Sequence, residues 1–98
     1  MAYTLDIDPV ARAQIRALPA AGAAALTDAL KVLELVPERG EPLNADNPYG
    51  GLYQLPFGSG CGLITYLLLA DQDRVDLLVV TWVDFGRYWG GRILWKAP

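Results

Sequence analysis

Histidine is absent from the chain, and cysteine occurs once, at Cys61. The first absence removes the usual side chain for proton transfer near neutral pH and the commonest metal ligand. The second excludes an internal disulfide, and together they leave no Cys/His metal site. Cys61 stands in a glycine-rich turn with no base to activate it. It reads as a small buried or half-buried residue rather than a nucleophile. Charge is also sparse, at 19% of 98 residues. No apolar stretch reaches the roughly 18 residues of a membrane span. The opening MAYTLDIDP carries two aspartates and no basic n-region, so no secretion signal is expected. These absences point to a cytoplasmic protein, with one domain over residues 1–98 and neither cofactor nor metal nor membrane contact.

What is abundant is apolar surface. The hydrophobic fraction is 53% and the mean hydropathy +0.23, high for so short a chain. Such an excess marks a partner site. The formal charge of −3 is unevenly spread. Residues 1–73 hold four basic side chains against nine acidic ones, whereas residues 74–98 hold four against two. The overall sign argues against a general nucleic-acid binder. The basic tail reads either as a local binding site or as an ordinary solvated end.

The chain is organised around GLITYLLLADQDRVDLLVVTW, residues 62–82. Two apolar runs, Leu63–Ala70 and Val75–Trp82, flank Asp71-Gln72-Asp73-Arg74. Ile64, Thr65, Tyr66, Val75, Val79 and Val80 are types that pack well on a pleat, so the runs read as a hairpin. Both are apolar at nearly every position, so both faces are expected to be covered. Ahead of them, Tyr3, Leu5 and Ile7 alternate with Thr4 and Asp6 as in a half-buried strand. Asp8-Pro9 opens a short helix with Ala11, Ile15 and Leu18 on one face, closed by Pro19. A second helix runs from about Ala20 to Val36, with Ala25, Ala29 and Val32 beside Leu26, Leu30 and Leu33. Pro37–Gly51 reads as a long loop. Gly51–Phe57 reads as a strand that Pro56 confines to an edge or ends. Beyond Val83 the pattern has no clear period. The expected class is α+β: an N-terminal strand, a helical hairpin of two helices, then three consecutive antiparallel strands and a short C-terminal tail.

This order resembles the RelE/ParE superfamily of type II toxin–antitoxin toxins. The matching features are Asp8-Pro9 after the first strand, Leu18-Pro19, Leu35-Val36-Pro37, Gly40 and Leu43. Leu52-Tyr53-Gln54-Leu55, Leu63-Ile64-Thr65-Tyr66 and a last strand at Val75–Val83 complete the set. The resemblance implies a cognate antitoxin partner and, for RelE-like members, cleavage of mRNA in the ribosomal A site. That chemistry needs cations aimed at the developing phosphorane charge and groups able to move protons. At the strand positions where the resemblance implies lysines and an arginine, this chain has Gln54, Pro56 and Leu63. The later elements remain: Arg87 and Tyr88 as catalytic candidates, with Arg74, Arg92, Lys96 and Trp89 for RNA or target binding.

Each candidate has a plainer reading. Arg87 is either a bidentate phosphate clamp or an exposed partner of Asp84. Tyr88 is either a proton donor and stacking platform or an aromatic closing the sheet edge. Tyr53, Tyr66 and Trp82 read as core, while Trp89 and Trp95, around Gly90-Gly91, look like interface residues. Asp71, Asp73 and Asp76 have no metal-ligand spacing. Three readings therefore stand: a ribosome-dependent endoribonuclease, a ParE-like toxin acting on DNA gyrase without hydrolysis, or a silent relative that binds only antitoxin or forms a homodimer.

Overall fold

The computed structural model describes residues 2–43 and 50–83. Strand β1, Thr4–Ile7, follows the expected alternation: Tyr3, Leu5 and Ile7 are half-buried and Thr4 and Asp6 exposed. Asp8 then caps helix α1, Pro9–Arg16, its Oδ2 accepting from the Val10 N–H at 3.0 Å. An N-cap carboxylate satisfies one donor that the helix itself cannot, and Pro9 supplies a preset φ at the first position. Helix α2, Ala20–Leu35, buries Leu26, Ala29 and Leu33 and leaves Asp28 and Lys31 in water. Pro37 stops it, because proline offers no N–H to continue the ladder.

Pro37–Gly51 is not one loop. Pro37–Arg39 forms a 3-10 turn, Glu41–Pro42 a two-residue strand β2, and β3 already starts at Gly50. β3 spans Gly50–Phe57, β4 Gly62–Leu69 and β5 Arg74–Trp82, with a turn at Ala70–Gln72. The sheet order is β1-β5-β4-β3-β2. β1 lies parallel to β5, and the other pairs are antiparallel. The helical pair packs on one face, giving the expected α+β architecture.

β5 carries a bulge. Thr65 pairs with Val79 but Tyr66 with Leu77, so Leu78 is the extra residue. One inserted residue flips the alternation after it. Val75 and Leu77 before the bulge and Val80 after it all reach the core, while Thr81 faces solvent. β1 ends level with Leu77, so the Val80 N–H beyond it has no strand to pair with. Gln14 of α1 fills the place, its Oε1 accepting from Val80 N at 2.7 Å.

The core centres on Tyr66, which is fully buried along with Leu33, Ile64 and Leu77. Its ring stacks on Tyr53 at 5.6 Å and 17°. Its hydroxyl donates to the Pro37 carbonyl, tying the end of α2 to the sheet. Gly40 is required by that junction. A Cβ there would overlap the Tyr66 hydroxyl and come within 2.8 Å of the Gln54 backbone oxygen. At the far end of the sheet, Gly58 has φ +62°, and a Cβ would lie 2.6 Å from the Trp82 ring. A side chain at Gly58 therefore meets both a left-handed backbone and a steric clash.

Candidate functional site

The positions singled out for phosphate chemistry share one face of the sheet, opposite the helices. β3 and β4 are paired Gln54↔Thr65 and Pro56↔Leu63, while the core pairs are Tyr53↔Tyr66 and Leu55↔Ile64. Alternation therefore carries Leu52, Gln54 and Pro56, with Leu63, Thr65 and Leu67, to the face away from the core. Leu63, Thr65, Leu67 and Leu69 are half-buried there, and Leu52 is 39% exposed. Among the described residues, the expected cover is present on the helix side and no element lies over the other face. The reason is arithmetic: two short helices can cover one face of a five-stranded sheet but not both.

This outer face is short of charge. Gln54 Nε2 lies 3.5 Å from Thr65 Oγ1, a neutral cross-strand pair. Arg74, at the start of β5, is the one predicted binding residue among those described. Its Nε lies 2.9 Å from Asp76 Oδ1 and its Nη2 3.2 Å from Oδ2, a bidentate pair. Its hydrogen bond to Asp76 raises its pKa above the usual arginine value, and the charges of Asp76 and Asp6 add to this. The cation is thus already matched, and a phosphate would have to displace Asp76. Asp6 and Asp8 flank the same corner with Leu78, which makes it acidic. Arg87, Tyr88, Trp89, Arg92 and Lys96, with Trp95, lie outside the described residues, so only Arg74 of the predicted site has a place in this geometry.

On the helix side, a groove of about 420 Å³ runs between α2 and β3. Ala25, Ala29 and Val32 form one wall, Leu55 and Phe57 the other, and Asp28 and Arg39 stand among its lining residues. It shares no residue with the outer face except Pro56. Among the described residues no group of His, Cys, Asp or Glu is placed to hold a metal, and no helix is long and apolar enough to cross a membrane.

No family profile and no curated protein sequence matches the chain. Solved structures do. A free form of the Escherichia coli toxin RelE, with two arginines replaced by alanine, superimposes with a TM-score of 0.69 at 17% identity, covering 99% of this chain and 100% of that one. The toxin in the intact E. coli RelBE toxin–antitoxin complex gives 0.66 at 22% identity, over 84% and 98% of the two chains. The archaeal RelE–RelB complex of Pyrococcus horikoshii gives 0.61 at 16%, over 84% and 96%. This chain has the RelE/ParE-type toxin fold. Gln54, Pro56 and Leu63, the positions where the resemblance implies cations, all share the outer face.

Sequence reasoning singled out these three positions but missed that Leu52, Thr65 and Leu67 complete the same surface. The period-two pattern does not show it. Leu63–Leu69 is so uniformly apolar that neither set of alternating positions stands out as the buried one.

Proposed function

We propose that this chain is the toxin component of a toxin–antitoxin pair and that it acts by binding rather than by cutting RNA. The observation that carries this reading is the outer face. Where phosphate cations belong, it offers Gln54, Pro56 and Leu63 beside Leu52 and Leu67, and its described cation, Arg74, is neutralised by Asp76. Cleavage by a 2′-hydroxyl develops charge on the phosphorane, and an apolar face does nothing to stabilise it. The same surface suits the apolar side of an amphipathic helix, laid down as anchors at helical spacing. DNA gyrase fits this reading as a target, and an antitoxin as the partner that occupies the face at rest.

A second reading, ribosome-dependent endoribonuclease activity, is favoured by the likeness to RelE toxins and by the basic balance of residues 74–98. It would place Arg87 and Tyr88 as the catalytic pair, with Arg92, Lys96 and Trp89 on the RNA. Induced expression decides between the two. Growth arrest relieved by the product of the adjoining gene, without A-site cuts in primer extension of translated mRNA, is the expected result. Cuts that vanish in Arg87→Ala would establish the endoribonuclease instead. If expression leaves growth unaffected, the silent relative is the right reading.

A further inference from the structure

On the outer face, Gln54 and Thr65 form a polar island in apolar surroundings. Gln54 stands between Leu52 and Pro56 along β3, and Thr65 between Leu63 and Leu67 along β4. Val79 lies across from Thr65 on β5. Residues directly opposite each other in a sheet point to the same side, so the whole ring is on this face.

The island is not self-contained. A side-chain amide offers two N–H donors and an acceptor oxygen, and a hydroxyl adds one donor and an acceptor. Between them the two half-buried side chains make one contact, from Gln54 Nε2 to Thr65 Oγ1, at the long distance of 3.5 Å. The rest of the amide and the Thr65 O–H have no protein partner among the described residues, which leaves them to water while the face is open. An apolar cover over Leu52, Leu63 and Leu67 strips that water away. Each polar group left unmatched there weakens binding by about five- to a hundredfold, and a matched one avoids the loss.

Charge adds a second condition. Glu41 pairs with Gln54 from β2, is exposed and has no ion-pair partner among the described residues. On the far side Asp6 and Asp76 are paired neighbours, and Arg74 is held by Asp76. The paired rows of this face thus carry three carboxylates and one arginine. That balance repels a second copy of the chain and attracts a basic partner.

We propose that the partner lays an amphipathic helix on this face, with one asparagine or glutamine of its apolar side over Gln54 and Thr65. A lysine or arginine one turn away meets Glu41. The polar match decides which partner is accepted, so Gln54 is a specificity-determining residue. This rests on the binding reading above. The spacing follows from geometry, because neighbouring strands lie about 4.8 Å apart and a helical turn rises about 5.4 Å. An amide is the matching group because it supplies donors and an acceptor together, whereas a hydroxyl has a single proton. A wholly apolar helix is rejected because it leaves the Gln54 amide dry and unpaired.

Titrations of the wild-type and Gln54→Leu chains with the adjoining gene's product test this, well below the unfolding transitions of both. Each asparagine and glutamine of that product is changed to leucine in turn. Gln54→Leu binds about tenfold more weakly, and one substitution in the partner costs as much against the wild-type chain. The two changes together regain most of the loss, which is the mark of a direct pair. In the complex, the Gln54 side-chain amide protons become protected from water. Equal or tighter binding by Gln54→Leu, with Leu67→Asp still weakening it, would overturn the polar match and leave the binding face standing. Losses that simply add would do the same. Indifference to both Gln54→Leu and Leu67→Asp would remove the face and the match together. Failure to form any complex would remove the partner as well.

Discussion

Tyr66 is the residue whose environment is most constrained. Its ring is buried against Tyr53, and its hydroxyl donates to Pro37 O. Burial pushes the phenol up to about 12, partly offset by a hydrogen bond from the Gly40 backbone. A raised pKa means that the folded chain holds this proton more tightly than the unfolded one. The linked stability is fully present below pH 10 and is lost as pH rises through about 12. Tyr66→Phe leaves the Pro37 carbonyl buried without its donor, which costs about 1–3 kcal/mol in urea unfolding at neutral pH. The variant should also lack the step between pH 10 and 12, and a phenolate titration should lose a component near pH 12. None of this partnership was legible in advance. Tyr66 reads as core from its apolar neighbours, but Pro37 lies 29 residues away and nothing local links the two.

At the level of elements, β5 illustrates what periodicity can and cannot give. β1 was legible because Leu5 and Ile7 alternate with Thr4 and Asp6. The bulge at Leu78 was not, because Leu77-Leu78-Val79-Val80 is apolar throughout and contains no polar residue to mark the flip. β2 escaped for the opposite reason. Glu41-Pro42 has no strand propensity and is held by its register with Tyr53 and Gln54. The bulge is completed by α1 through Gln14, so the helix contributes more than coverage. Gln14→Ala leaves the Val80 N–H without its acceptor and should cost about 1–2 kcal/mol in thermal or urea unfolding. The loss should appear first as faster exchange of the Val80 amide. An unchanged Val80 exchange rate would mean that Gln14 does not complete the strand.

For the whole molecule, the sheet separates two environments. One face buries Tyr66, Leu77 and Ile64 under the helices, and the other presents Leu52, Leu63 and Leu67 with little charge. The fold was legible because helices and strands come in an order that few architectures accept. Of the candidate site only Arg74 lies among the described residues, and Gln54, Pro56 and Leu63 were legible as uncharged positions without showing what surrounds them. What surrounds them is apolar area, and apolar area on a face that no described element covers is the feature that a protein partner can use. Titration calorimetry of Leu67→Asp against the adjoining gene's product, beside the wild-type chain, tests this most directly. Leu67 points to the outer face, half-buried and opposite Asp76, so the variant should unfold at a lower temperature and the two chains are compared well below both transitions. Its affinity should fall by about a hundredfold, as expected for a carboxylate forced into an apolar contact. Equal affinity for the two chains would show that the partner does not use this face, and the binding account would fail.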